Sequence, residues 1–364
     1  MNKHAPLSID DLSDSFLTQC LSRAGAISKS SVTGHEIIPL PEPGQTTDMA
    51  FIALSYDEAE AGSHSRLVAK FAVADPDAFE MAKAFGLYKR EVRFFQKIGK
   101  DAGVRVPDCF YAAHDETSGK FLLLVEDLTG NREGNYVNPD IEMVEALVIE
   151  AAKMHSRWWQ HEALHQYPWL SNYTDTGRIQ EMSQMFLETV DTFIEKTADF
   201  INPYFLRCHQ AMKSHPLALE ELGRAPHTLI HGDLHVKNAF FTSDKQTFFI
   251  DWQMAGIGNP CIDFIRPLTA VKTSDQQRIP DLMQRYLEIL HAGGVTDYSM
   301  QQLERDTIVG LMYGWMLEST ALAQSDLDII SAYIESKNGD IREIWRRGAE
   351  LSERFQLAEF VETF

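Results

Sequence analysis

Three polar side chains stand out between His231 and Asp251, in the stretch HGDLHVKNAFFTSDKQTFFID: Asp233, Asn238 and Asp251. Two short apolar runs, AFF and TFFI, flank the turn-forming SDKQ, which predicts a buried β-hairpin after Asn238. Asp233 and Asn238 then sit in the loop that enters the hairpin, and Asp251 at the end of its second strand. Phosphoryl transfer needs such a set: one carboxylate to orient a hydroxyl, plus an amide and a carboxylate to hold Mg2+. His231, Asp233 and His235 also alternate as HxDxH, a pattern open to a metal-dependent hydrolase with imidazole and carboxylate ligands. That reading leaves Asn238 and Asp251 without a role, and no third histidine follows at ligand spacing. Taken singly, a loop Asp is most often a cap or turn former, so only the combination carries weight.

HGDLHVKN resembles the HGDxxxxN catalytic loop of the aminoglycoside phosphotransferase and choline kinase superfamily, and IDWQ resembles that superfamily's counterpart of the protein-kinase DFG. The flanking chain looks most like the ecdysteroid-kinase-like branch. HGD alone is a weak signal; HGD, Asn five residues on and ID in a following strand form a specific one. The resemblance implies an α+β, bilobal, protein-kinase-like fold over nearly the whole chain. A small N-lobe, 1–126, would hold an antiparallel sheet plus a helix, and a larger, mainly helical C-lobe would span 127–364. It also implies ATP and Mg2+ as cofactors and a small-molecule hydroxyl as acceptor: an aminoglycoside, a choline-like compound, a sugar or a steroid-like alcohol. On this reading Asp233 is catalytic, Asn238 and Asp251 are metal ligands, and Asp263 braces the catalytic loop. His231 supports the loop backbone, and His235 has no assigned role. A protein kinase is disfavoured by HGD in place of HRD, by the missing GxGxxG and by the missing APE segment after Asp263. A pseudokinase or interaction module would be marked by loss of the catalytic Asp or of a metal ligand, and all of them are kept.

These groups need elements to position them. RLVAKFAV, residues 66–73, alternates around Lys70, and a lysine in an apolar strand is costly to bury without a partner. A solvent-facing strand lysine is one reading. The other is the N-lobe lysine that contacts the α- and β-phosphates and takes a carboxylate partner from the next helix. Glu91, in YKREVRFF, matches the family pairing, with Glu80 as a fallback beyond a break at Gly86. Between strands near HEIIPL and MAFIALS lies PEPGQTT, where a kinase-like N-lobe would set backbone NH groups over the triphosphate. Only Gly44 is present there, so an ordinary hairpin loop accounts for it equally well; Gln45, Thr46 and Thr47 are the phosphate-contact candidates. LLLVEDL resembles the hinge between lobes, with the main chain of Glu126 and Leu128 as adenine contacts.

The 364 residues allow two lobes with a sizeable core, and 44% hydrophobic content is ordinary for a globular protein. A net charge of -20 opposes binding to nucleic acid or anionic membrane. Cys20, Cys109, Cys208 and Cys261 form no CxxC pair, which fits buried free thiols in a reducing compartment. No apolar leader or membrane-spanning run is present, so a cytoplasmic protein is expected. Periodicity predicts helices at 8–24, at 138–159 with Asn138 as N-cap and Pro139 first, and as a pair over 176–214 broken at Asn202-Pro203. Further helices are predicted at 278–292, 299–322 and 326–356.

Overall fold

The computed structural model describes residues 7–40, 46–58, 60–224 and 226–364. They form two compact units: Met1–Arg132 with Phe248–Met254, and Glu133–Thr247 with Ala255–Phe364. The contacts thus carry the first unit six residues past the expected end at 126, and a later segment of chain returns to complete it.

The first unit is a five-stranded antiparallel sheet in the order β1-β2-β3-β5-β4. Its strands are β1 (Val32–Pro39), β2 (Thr47–Tyr56), β3 (Arg66–Ala72), β4 (Cys109–His114) and β5 (Phe121–Glu126). Helix α1 (Asp14–Ala24) starts at Ser13, whose side chain accepts the Phe16 N–H, and ends at left-handed Gly25. Helices α2 (Pro76–Ala84) and α3 (Leu87–Lys97) are separated by left-handed Gly86, the break expected from the sequence. Because strand side chains alternate in direction, β3 feeds two cores. Leu67 and Ala69 join Leu17, Leu21, Ile52, Leu122 and Leu124. Val68 and Ala72 join Leu87, Tyr88, Val92, Phe121 and Leu123. Lys70 shares the parity of Val68 and Ala72, so it points toward α3.

The short β6 (Arg132–Glu133) marks the passage into the second unit, which is mainly helical. Helix α4 (Ile141–Trp158) begins two residues later than Asn138-Pro139 predicts. Asp140 caps it by accepting the Glu142 N–H, while the Asn138 amide donates to the Asn338 carbonyl. Helices α5 (Thr176–Thr197) and α6 (Pro203–Ser214) break where expected, with Asn202 as N-cap and Pro203 in the first position. Strand β7 (Ser171–Asn172), β8 (Thr228–Ile230) and, later in the chain, β11 (Gly256–Gly258) form a small sheet in which β11 runs parallel to β7 and antiparallel to β8. Strands β9 (Ala239–Phe241) and β10 (Thr247–Phe249) flank the SDKQ turn, which is closed by the Thr242 N–H on the Gln246 carbonyl at 2.9 Å.

Helix α7 (Cys261–Ile265) packs on α9 (Met300–Gln324), α4 on α8 (Ile279–Ala292), and α5 on α9. A reciprocal Ser299–Gln302 capping box starts α9. The single helical stretch expected over 326–356 is two helices, α10 (Leu327–Ser336) and α11 (Ile341–Arg354), followed by α12 (Leu357–Val361). The chain breaks at Asn338, which has φ 59, and at Gly339, where a Cβ would lie 1.9 Å from Val137 Cγ1. All four cysteines are free, and among the described residues no helix is long and apolar enough to cross a membrane.

Candidate active site

In the first unit Lys70 Nζ donates to Glu91 Oε1 at 2.6 Å and to Asp251 Oδ1 at 3.2 Å. Lys70 is 9% exposed and Glu91 1%. Lys70 lies in the central strand β3, opposite Met49 and Leu123, and one turn of α3 brings Glu91 between buried Tyr88 and Val92. Burial alone would depress the Lys70 ammonium, but the Asp251 and Glu91 charges hold it well above its usual range. Burial pushes the Glu91 carboxyl up against the pull of Lys70. Glu80 is exposed on α2, so the structure selects Glu91 as the partner.

Asp251 reaches Lys70 because the residues after it are anchored on α3. Trp252 stacks on Phe94 with ring centroids 3.8 Å apart and planes within 9°, and its indole N–H donates to the Phe249 carbonyl. The Arg90 guanidinium donates to the Gln253 carbonyl at 2.5 Å and to the Phe85 carbonyl at 2.9 Å. Asp251 itself has φ 64, a strained backbone for a residue with a side chain. Sequence reasoning missed Arg90 and Gln253. The available signal was the arginine beside Glu91 in KREV.

The phosphate-contact candidates are drawn into the same unit. Thr46 donates its hydroxyl to Gln253 Oε1 at 2.9 Å, and its carbonyl accepts the Tyr88 hydroxyl at 2.7 Å. Thr47 opens β2 opposite Ala72 with its side chain buried. Thr47 is therefore built into the end of the sheet, and Thr46, just before it, is tied to Gln253 and Tyr88. Gln45 lies outside the described residues. At the hinge-like segment, the Glu126 N–H donates to the Asp108 carbonyl at 2.8 Å, and the Leu128 carbonyl accepts the Asn131 N–H at 2.9 Å. The Glu126 carbonyl and the Leu128 N–H take no part in these two bonds.

In the second unit, β8 delivers the HGD loop and α7 holds it. Asp263, fully buried, accepts the His231 N–H at 2.6 Å through one oxygen and the Gly232 N–H at 2.8 Å through the other. Gly232 has φ 85, which a side chain would oppose at this tight turn. His155 of α4 backs Asp263, with Nε2 3.3 Å from Asp263 Oδ2 and Nδ1 2.6 Å from the Tyr286 hydroxyl of α8. His155 is thus a core histidine with a partner at each ring nitrogen.

Asp233 extends from the braced loop, half-buried. Its Oδ1 accepts from Arg266 Nε at 3.2 Å, and its Oδ2 lies 3.5 Å from His235 Nε2. The Asn238 amide nitrogen donates to the Asp233 carbonyl at 2.9 Å and approaches Oδ2 at 3.4 Å. Burial would raise the Asp233 carboxyl, but its contact with His235 and the charges of His235 and Arg266 hold it well below the usual carboxylate range. Arg266 Nη1 lies 3.4 Å from both the Tyr136 hydroxyl and Glu318 Oε2. Burial raises the Glu318 carboxyl, and Arg266 opposes that shift. Arg266, Glu318 and Tyr136 were not singled out from the sequence. Arg266 follows Asp263 by three residues in a helical stretch, a spacing that keeps both on the loop-facing side. Among the described residues no group of three or more His, Cys, Asp or Glu is arranged to hold a metal ion.

The geometry therefore gives a buried lysine tied to two carboxylates in one unit, and a braced aspartate with a neighbouring amide in the other. Several solved structures are similar to this chain. A GDP complex of a point mutant of aminoglycoside 2′-phosphotransferase IIIa is similar at 14% identity and TM-score 0.51, over 95% of this chain and 97% of that one. A choline kinase from Streptococcus pneumoniae matches at 11% identity and TM-score 0.49, over 96% of this chain and 98% of the other. A macrolide 2′-phosphotransferase from Brachybacterium faecium matches at 15% identity and TM-score 0.44, over 85% and 96%. No curated protein sequence matches significantly. The first of these likenesses establishes a kinase-like α+β fold with an antiparallel sheet region followed by a mainly helical remainder. Residues 60–298, well over half the chain, match the APH phosphotransferase enzyme family, and the chain belongs to that family.

Proposed function

We propose that this protein is an ATP-dependent phosphotransferase that phosphorylates a hydroxyl of a small molecule. The observation that carries the reading is Lys70, buried in β3 and bonded at once to Glu91 and Asp251. Such a lysine is a fixed cation, suited to the α- and β-phosphates of a nucleotide. The relative with TM-score 0.51 is a GDP complex, which supports a purine nucleotide as donor. The Glu126 carbonyl and Leu128 N–H would read the adenine edge. Thr46 would contribute through its main chain, since its hydroxyl is spent on Gln253. Buried Thr47 would only shape the turn.

Asn238 and Asp251 would supply oxygen ligands to Mg2+, and both fit that use. The Asn238 amide nitrogen is engaged by Asp233, which leaves its carbonyl oxygen as the end available to a cation. Asp251 has a side chain 39% exposed and one oxygen on Lys70. Hard oxygen donors of this kind, few in number and completed by phosphate, are what Mg2+ takes. When bound, the ion would neutralise charge on the phosphate oxygens.

Asp233 would accept a hydrogen bond from the acceptor hydroxyl. Its carboxyl, held below the usual range, is a weak base, so orientation matters more than basicity, and it takes the hydroxyl proton as, or after, the bond to phosphorus forms. That suffices for a loose transition state in which the hydroxyl proton leaves late. The acceptor classes are those of the resemblance: aminoglycoside, choline-like compound, sugar or steroid-like alcohol, the last in keeping with the ecdysteroid-kinase-like branch. A net charge of -20 disfavours nucleic acid and anionic membrane as partners.

The test is transfer of label from γ-labelled ATP to a panel drawn from these four classes, with a protein substrate alongside. Labelled small molecule is the expected product. Label only on protein would favour a protein kinase, and nucleotide binding without transfer to any acceptor or to water would favour a nucleotide-binding module.

A further inference from the structure

We propose that Arg266 is the positioning residue for Asp233: it fixes the carboxylate in the orientation that receives the acceptor hydroxyl. This inference rests on the reading of Asp233 given above. Nothing in the catalytic-loop motif assigns a role to Arg266, which lies outside it.

Asp233 is held at both oxygens, but unequally. On one side Oδ2 has only the longer approaches of His235 Nε2 at 3.5 Å and Asn238 Nδ2 at 3.4 Å. On the other, Oδ1 takes the Arg266 Nε–H at 3.2 Å. Arg266 is therefore the shorter contact and the only guanidinium at the carboxylate among the described residues. A planar guanidinium fixes a carboxylate in direction as well as in place, which a lysine would not do.

Arg266 is itself held. Nη1 lies 3.4 Å from Glu318 Oε2 on α9 and 3.4 Å from the Tyr136 hydroxyl, and its Cζ stands 5.6 Å from the centroid of the Tyr136 ring. Its chain position is fixed by α7, whose Asp263 holds the catalytic-loop backbone three residues earlier. One short helical segment thus sets both the main chain of the loop, through Asp263, and the side chain of its aspartate, through Arg266. Asp233 points to the acceptor only while both hold. A shift of about 1 Å in such a group can cost roughly 10²-fold in rate.

The test uses the 364-residue chain with Arg266→Ala, Arg266→Lys, Asp233→Asn and the double variant Asp233→Asn/Arg266→Ala, each first checked by thermal melting. Turnover of MgATP is measured with water, or an identified alcohol, as acceptor, beside a nucleotide titration. Arg266→Ala should lower turnover roughly 10²-fold with nucleotide affinity little changed. Added guanidinium ion should restore part of the loss, and Arg266→Lys should fall between wild type and Ala. The double variant should be no slower than Asp233→Asn alone, because the two residues act as one unit. A merely structural Arg266 would give losses that multiply and no rescue. Crystal structures of the wild type and Arg266→Ala (or Arg266→Lys, if Ala does not fold) supply an arm independent of turnover. The proposal predicts that the Asp233 carboxylate turns or splits between rotamers in the variant. An unmoved carboxylate would overturn it, as would an Arg266→Ala variant at wild-type rate. A wild type that turns over no ATP would instead count against the phosphotransferase reading, and the rotamer comparison would still decide the role of Arg266.

Discussion

Lys70 Nζ and Asp251 Oδ1 lie 3.2 Å apart although 181 residues separate them in the chain. Strand parity aims Lys70 at α3, and the stacking of Trp252 on Phe94 carries Asp251 to the same place. Glu91, 2.6 Å from Lys70, is the buried end of this trio and depends on the lysine for its compensation.

Lys70→Met should therefore cost stability as well as nucleotide binding. It strands a buried carboxylate, a change commonly worth about 3–5 kcal/mol. Adding Glu91→Leu should recover much of that stability without restoring nucleotide binding. Urea denaturation of the two variants checks this; a single variant within about 1 kcal/mol of wild type would mean the pair is solvated in solution.

Asp263→Asn should loosen the HGD loop. The carboxylate accepts two backbone N–H groups, His231 at 2.6 Å and Gly232 at 2.8 Å, and an asparagine turns one acceptor into a donor facing a donor. A loss of about 2–4 kcal/mol follows from charge-assisted bonds worth roughly 1.5–3 kcal/mol each. Hydrogen exchange should speed up at the His231 and Gly232 amides and stay unchanged in β3. Equal protection of those two amides in both proteins would remove Asp263 as the brace.

Much of this arrangement was legible in the sequence because it follows from short periods. The alternation around Lys70, the break at Gly86, the strand–turn–strand after Asn238 and the break at Asn202-Pro203 are all local signals. The Lys70–Glu91 contact adds the family resemblance, which pairs such a lysine with a carboxylate on the neighbouring helix and favoured Glu91 over Glu80. Contacts set by tertiary packing were not legible. Arg266 meets Glu318 and Tyr136 only once α7, α9 and the segment before α4 are assembled, and none of these residues stands in a motif. Thr46 and Thr47 read as loop residues because they follow a glycine, yet Thr47 pairs in β2 and Thr46 is tied to Gln253. The α4 cap was misplaced by two residues because Asn138-Pro139 and Asp140 offer competing starts, and Asn138 is drawn away to Asn338.

Asp306 gives a pH dependence with a defined sign. It is buried on α9 and accepts the Tyr298 hydroxyl at 2.7 Å; burial pushes its carboxyl up to about 6 from an ordinary 3.8, against the pull of that bond. The native state then holds this proton more tightly than the unfolded chain. Its contribution is present below pH 3.8 and is lost as the pH rises through about 6. Asp306→Asn should leave stability unchanged near pH 4 and raise it at pH 7.5, by at most about 3 kcal/mol. Denaturant midpoints for both proteins at the two pH values test this, and a constant offset between them would contradict it.

Magnesium and nucleotide should stabilise the protein together. At a ligand concentration a hundredfold above its dissociation constant, the gain is about 2.7 kcal/mol. Asp251→Ala should reduce the magnesium-dependent part of the thermal shift more than Asn238→Ala, since it removes a charge. Equal magnesium titrations in wild type and both variants, with the fold intact, would place the metal elsewhere.

The central claim is that Asp233 orients the hydroxyl that receives phosphate and does not bind the nucleotide. Asp233→Asn keeps the size of the side chain and one acceptor oxygen while removing the charge. The most direct measurement is the rate of labelled-phosphate transfer from ATP by this variant and by wild type, with a nucleotide titration on the same samples. The account predicts a loss of about 10²–10⁴-fold in rate with nucleotide affinity nearly unchanged. A variant that keeps most of the wild-type rate, or one that loses nucleotide affinity in step with the rate, would contradict it.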